Sequence, residues 1–415
     1  MGKISGVSTG IINNVDGFYT TQTGGGGGLT APALGTNSGV QVLSSNISSV
    51  NPGLNASFNR TTVGLTSYSH TDFVRLAAKK TYKTFFAVTS DGKLHYNTST
   101  GSWMSGATTD SEWHEDTSNP SGTSGNWTDV ATDDQSALAI RGGDVCFRGY
   151  GNYRQRGDGS TGSSSIWIKT YDGSTDAASR VYMGYRVSYL VTAAGKLLSS
   201  GYNYDGQTGV GTSSGQTASW TDITPAGVTV ASFGFGYRCA KFIDQNGDVW
   251  SFGDNGQLHS GPLWTSSSDR LSPTQSTNTQ PFLGAEIIGG ACGDMFSILD
   301  TNGQLWVQGE GGGRINPAGG TTDKKNAWYT SGSAGDYVGG FANGTTSSSD
   351  QIVYYIKNDD SLLLSGLDAQ NMTASHNSTG SKTSGTSPYN IFTAPGNKIH
   401  MVAGNVSQYI VVYKP

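Results

Sequence analysis

Residues Val228–Gly261 read VTVASFGFGYRCAKFIDQNGDVWSFGDNGQLHSG. Two short apolar runs flank an Asn-Gly pair, Asn246-Gly247. That pair suits a tight hairpin, whose central residues need positive φ. The first run is Arg238–Ile243 and the second is Asp248–Phe252. A Gly-rich exit follows, Gly253-Asp254-Asn255-Gly256-Gln257-Leu258. The stretch predicts two antiparallel strands and a loop that carries the chain away.

The same unit recurs. Thr84–Val88, Asp91-Gly92 and Lys93–Tyr96 form one copy, with Phe73–Leu76 as a lead strand. Further copies turn at Gly142-Gly143, Ala194-Gly195, Asn302-Gly303 and Asp359-Asp360. Subtracting the positions of Gly92, Gly143, Gly195, Gly247 and Gly303 gives steps of 51, 52, 52 and 56. A period of that length, with several strands and no helical pattern per repeat, predicts an all-β fold, a β-propeller. The run before each turn, the second strand when the lead strand is counted, is apolar at consecutive positions, as in Phe85-Phe86-Ala87-Val88. It reads as an inner strand buried on both faces between neighbouring blades.

The last unit is incomplete. Lys398–Ala403 is a lead strand, Ser407–Tyr413 follows, and the chain given stops at Pro415 before a hairpin partner. Unpaired strand edges invite a partner. The expectation is a seven-bladed propeller closed by pairing N-terminal strands, drawn from Ser57–Val63, with this C-terminal half-blade. The alternative is six blades and a tail. The domain reading is an extended N-terminal arm over residues 1–55 and a propeller over residues 56–415. Gly24–Gly28 is a glycine run and reads as a hinge. The arm is either a disordered tail or a segment ordered by docking on a partner.

Composition excludes several functions. Charged residues make 13% and the net charge is −5, with Lys and Arg only in pairs such as Lys79-Lys80. A nucleic-acid surface needs clustered cations. No apolar run reaches the roughly 20 residues of a membrane helix. The N-terminus lacks the apolar core of a signal peptide. Cys146, Cys239 and Cys292 have no metal-ligand spacing and read as small buried hydrophobes. The six histidines are scattered. Asp244–Asp248 hints at a calcium loop, but its twelfth position is Asn255 and not Glu. Gly309–Arg314 lacks the Lys of a phosphate-binding loop. The expectation is therefore no catalytic residue, no cofactor and no metal.

With its repeat Asn246-Gly247-Asp248-Val249-Trp250-Ser251-Phe252-Gly253, Asn255-Gly256-Gln257-Leu258, the chain resembles the regulator of chromosome condensation repeat family. Asn302–Gly309 matches the first half of that pattern and Gly201–Gly209 the second. The resemblance spans about Asp72 to Pro415 and implies the fold. The family's nuclear members bind histones and exchange nucleotides, but no segment here matches an exchange loop. The arm and the low-charge, Ser/Thr/Asn/Gly-rich composition give a second resemblance, to bacteriophage virion proteins.

What remains is binding. Trp103, Trp113, Tyr150, Tyr153, Tyr202, Tyr204 and Trp264 fall in turns or near strand ends, as does Trp127. Exposed aromatics among Asn and Ser suit sugars and protein surfaces; the alternative is that most wedge between blades. The leading expectation is a non-enzymatic virion component, in a tail fibre, baseplate or capsid-surface position. Its partners would be other virion proteins through the arm and a host glycan or protein through the propeller. The alternative is a cytoplasmic interaction propeller of exchange-factor or scaffold type.

Overall fold

The structure, a computed structural model of the chain, describes residues 39–44, 59–62, 72–78, 84–98, 113–133, 135–255, 268–276, 282–291, 295–309, 324–342, 350–359, 361–368, 389–393, 398–404 and 408–414. Every named element among them is a β-strand. Two come first, Gly39–Ser44 (β1) and Asn59–Thr62 (β2). Blade 1 is Phe73–Ala78 (β3), Thr84–Thr89 (β4), Leu94–Thr98 (β5) and Trp113–Glu115 (β6). Blade 2 is Trp127–Thr132 (β7), Ser136–Arg141 (β8), Asp144–Gly149 (β9) and Ser164–Tyr171 (β10). Blade 3 is Ala178–Gly184 (β11), Val187–Thr192 (β12), Leu197–Tyr202 (β13) and Gln216–Asp222 (β14). Blade 4 is Val230–Phe235 (β15), Cys239–Asp244 (β16), Val249–Gly253 (β17) and Arg270–Gln275 (β18). Blade 5 is Glu286–Ala291 (β19), Met295–Leu299 (β20), Leu305–Gly309 (β21) and Lys324–Ser331 (β22).

Each of these five sheets is an antiparallel meander in chain order, and together they make an all-β propeller. Tyr337–Ala342 (β23), Asp350–Lys357 (β24), Ser361–Asp368 (β25) and Tyr389–Thr393 (β26) pair in the same order. Lys398–Gly404 (β27) and Gln408–Lys414 (β28) pair with each other, and β28 also pairs with β1. The register sets Val40 opposite Val412 and Val42 opposite Ile410, and β2 extends the sheet from β1. The strand beside the C-terminal one is thus Gly39–Ser44, from within the stretch read as an arm, and Asn59–Thr62 lies one place further out.

The alternation of side chains explains the packing. In β8, Ala137 and Ala139 face blade 1 and its Phe86, while Leu138 and Ile140 face blade 3 and its Leu190. In β16, Ala240 and Phe242 meet blade 3, while Cys239 and Ile243 meet Phe296 and Ile298 of blade 5. A period of two puts successive residues on opposite faces. Both faces are apolar because each meets another blade. Second strands β4, β12 and β16 are accordingly buried along their whole length.

The apolar second strand, expected to be the inner one, lies one place out from the axis. The strand beside the axis is the lead strand, not the second. Side chains of β3, β7, β11, β15, β19 and β23 line one central cavity of about 80 Å³. In each of these strands, and in β27, the pairing slips near its start. Such bulges add twist and re-aim side chains. Just after three of them stand Arg75, Asp129 and Ser232, which link blades around the axis. Arg75 Nε donates to Asp129 in a buried ion pair. The Val181 N–H donates to Asp129 Oδ2 at 2.9 Å, and the Ile287 N–H to Ser232 Oγ at 2.9 Å. Half-buried Glu286 is close enough to feel Arg75 and Arg180, yet burial outweighs their pull and pushes its carboxyl up to about 8.

The Asn-Gly hairpin is held by its own aspartate. Asp244 Oδ1 accepts from the Asn246 and Asp248 N–H groups, and Oδ2 accepts from Trp250 Nε1 at 3.0 Å. Asp300 repeats all three bonds with Asn302, Gln304 and Trp306. The most recognisable residues of the repeat are therefore its scaffold.

Candidate functional site

Within each blade the connections between strands one and two, and between three and four, emerge on the same face. A repeated contact binds them together. Tyr150 N–H donates to the Gln135 carbonyl at 2.9 Å, Tyr202 N–H to that of Arg186 at 2.9 Å, and Asp254 N–H to that of Arg238 at 3.0 Å. The residue before each donor is glycine. A Cβ on Gly201 would stand 2.5 Å from the Arg186 carbonyl oxygen, so only glycine allows this approach.

On this face blades 2, 3 and 4 bring six tyrosines together. Tyr150 and Tyr153 come from the β9–β10 connection, Tyr185 from β11–β12, Tyr202 from the end of β13, Tyr204 from the β13–β14 connection, and Tyr237 from β15–β16. Ring centroids are 6.0 Å apart for Tyr150 and Tyr153, 5.8 Å for Tyr153 and Tyr202, and 6.2 Å for Tyr185 and Tyr202. Tyr185 meets Tyr237 at 4.9 Å and Tyr202 meets Tyr204 at 4.8 Å. Tyr204 is 57% exposed and the others are partly so. Tyrosine rings offer large contact area with few rotatable bonds, plus a polar tip. Burial pushes the Tyr185 and Tyr202 hydroxyls up, so they are neutral donors.

Two arginines are laid over these rings. The Arg186 guanidinium stands 4.0 Å from the Tyr153 centroid and 4.4 Å from that of Tyr185. Arg238 stands 4.8 Å from Tyr237. Asp133, Gln135, Tyr150, Tyr153, Gln155, Tyr185 and Arg186 line a cavity of about 170 Å³. Gln155, buried, holds its floor: Oε1 accepts from Tyr153 N–H at 3.0 Å and Nε2 donates to the Tyr150 carbonyl at 2.6 Å.

Of the seven aromatics singled out from sequence, Tyr150, Tyr153, Tyr202 and Tyr204 lie in this cluster. Trp113 is 6% exposed, on β6. Trp103 and Trp264 lie outside the described residues. Trp127 wedges between blades 1 and 2 against Trp167. Sequence reading missed Tyr185, Tyr237 and both arginines. Their signal was the Gly-Tyr-Arg triplet at Gly184–Arg186 and again at Gly236–Arg238. Cys146 and Cys239 are buried, and burial pushes the Cys146 thiol up to about 12. Cys292 lies outside the described residues.

No protein-family model matches the chain. Among solved structures, human WBSCR16 superposes with a TM-score of 0.67 at 16% identity, over 91% of this chain and 98% of that one. Prp20p from Saccharomyces cerevisiae, described with its binding to Gsp1p and histones, gives 0.50 at 15% identity, over 82% and 68%. Yeast RCC1 (Prp20) bound to Kap60 gives 0.48 at 14% identity, over 79% and 63%. The shared feature is the propeller fold. At these identities the likeness carries no site residue across, so the tyrosine cluster stands on its own geometry.

Proposed function

We propose that the chain is a non-enzymatic interaction propeller that presents its tyrosine-rich face to a protein partner. The observation that carries this reading is the six-tyrosine, two-arginine cluster assembled from three blades. Aromatics and Arg, partly exposed and held by a rigid scaffold, are the residue types that dominate protein-binding hot spots. Binding of Gsp1p and histones by Prp20p, a propeller of this fold, favours protein binding here over the virion role drawn from composition. The test is capture from lysate by the full chain and by a Tyr153→Ala, Tyr185→Ala, Tyr202→Ala variant, compared by quantitative mass spectrometry. A defined set of proteins should be lost with the variant. Equal recovery from both would sink the reading.

We also propose that the ring closes as seven blades, the last being the mixed sheet β2-β1-β28-β27. The pairing of β1 with β28 supports it. Deleting residues 1–44 should lower the thermal midpoint by at least about 5 °C, since β1, paired on both sides in that sheet, is lost and β28 is left without its partner. An unchanged midpoint would leave a six-bladed ring.

A further inference from the structure

Arg186 and Arg238 occupy the same place in successive repeats, Gly-Tyr-Arg before the second strand. Their partners differ. Arg238 Nη1 lies 3.4 Å from Asp205 Oδ1, and Nη2 lies 3.5 Å from the Tyr237 hydroxyl. The repeat position of Asp205 in the preceding blade is Tyr153, counted from Gly201 and Gly149. A ring thus replaces the acid beside Arg186. The Arg186 guanidinium stacks on Tyr153 and Tyr185 but has no hydrogen-bond or ion-pair partner among the described residues.

With its carbon over two rings and none of its N–H groups paired among the described residues, the guanidinium has donors to offer to the cavity it lines. Those donors form a fork that matches a carboxylate with two parallel bonds. The cavity's about 170 Å³ exceeds the roughly 30 Å³ share of one water several-fold, room enough for a carboxylate and its methylene. Asp133 also lines it, but its Oδ1 is taken by Gln135 N–H, Ser136 N–H and Ser136 Oγ at 2.7–2.8 Å. The exposed Gln135 amide has no partner among the described residues and offers a further donor. Arg186 also sits at φ 61°, a conformation unfavourable for a non-glycine residue. The bond from Tyr202 N–H to its carbonyl holds it there. Residues kept in sparsely populated backbone regions cluster at ligand clamps.

We propose that Arg186, framed by Tyr153 and Tyr185, receives a glutamate or aspartate carboxylate from an acidic segment of the protein partner. The inference rests on the interaction-propeller reading and names the chemistry of its contact. The test is fluorescence anisotropy of the full chain with a labelled peptide carrying four glutamates and with its glutamine counterpart. The glutamate peptide should bind at least about tenfold more tightly, the factor carried by a hydrogen bond between charged groups. Arg186→Asn should abolish that preference; Asn tolerates the left-handed conformation, so the loop is retained while the charge is lost. Arg186→Lys should keep only part of it, because an ammonium cannot make the fork. Tyr153→Asp should abolish it by giving Arg186 the internal acid that Arg238 has. Equal binding of the two peptides, or an Arg186→Asn chain with full preference, would overturn the proposal. Arg186-dependent binding of an oligogalacturonate without binding of the glutamate peptide would also overturn it, in favour of an acidic sugar. If Arg186→Asn captures the same proteins from lysate that the triple tyrosine variant loses, the carboxylate contact fails while the interaction reading survives.

Discussion

The two Gly-Tyr-Arg turns share a sequence and a place in the repeat, yet only Arg186 takes the left-handed conformation, and the two do different work. In the turn of blade 4, Arg238 is answered by Asp205 from the neighbouring blade. In that of blade 3, the Arg186 side chain lies over two rings and has no ion-pair partner among the described residues. The supporting loops differ in the same sense. Gln207 accepts from Asp205 N–H through Oε1, while its buried Nε2 has no partner. Gln155, at the same place one repeat earlier, uses both ends of its amide. Arg154, at φ 64°, stands where the later repeat has Gly206 at φ 74°. The blade 2 loop is thus better bonded and more strained, and it frames the open arginine. The lesson is that a repeat can keep its Gly-Tyr-Arg turn and free its charge by putting a ring where the next repeat has an acid, with the supporting loop altered around it.

Substitutions in the supporting loops separate the two turns. The larger effect is expected from the glutamines. Gln155→Ala should cost about 2–3 kcal/mol in chemical denaturation, because it leaves two backbone partners unmet beside the cavity. Gln207→Ala should cost about 1 kcal/mol, since one end of that amide is already unpaired. Equal losses would show that the loops are equivalent supports. The smaller effect is expected at the ion pair. The Asp205 side chain is 22% and that of Arg238 40% exposed, and burial pushes the Asp205 carboxyl up despite Arg238. Asp205→Ala should therefore change stability by less than about 1 kcal/mol. A loss as large as that of Gln155→Ala would mean that the blade 4 pair is structural and the two turns are not comparable.

Much of the architecture was legible because each blade writes it locally. Asn246-Gly247 and Asn302-Gly303 mark hairpins, and consecutive apolar residues mark strands covered on both faces. The axis was not legible in the same way. The lead and second strands have similar composition, and only the packing of β3, β7, β11, β15, β19 and β23 around one cavity shows which is innermost. The site was half legible. Tyr150, Tyr153, Tyr202 and Tyr204 were visible as aromatics in loops. Tyr185 and Tyr237 were not, because each sits at the end of an apolar lead strand and reads as part of it. Trp113, in a similar local context, is buried on β6.

By itself the sequence determined the period, the hairpins and the apolar second strands, because these follow from residues within one repeat. Only the tertiary structure decided that Tyr153 of blade 2 meets Arg186 of blade 3, and Asp205 of blade 3 meets Arg238 of blade 4. Those contacts cross between blades, and their partners are set by the way neighbouring sheets stack around the axis. No pattern inside a single repeat encodes which loop will face which.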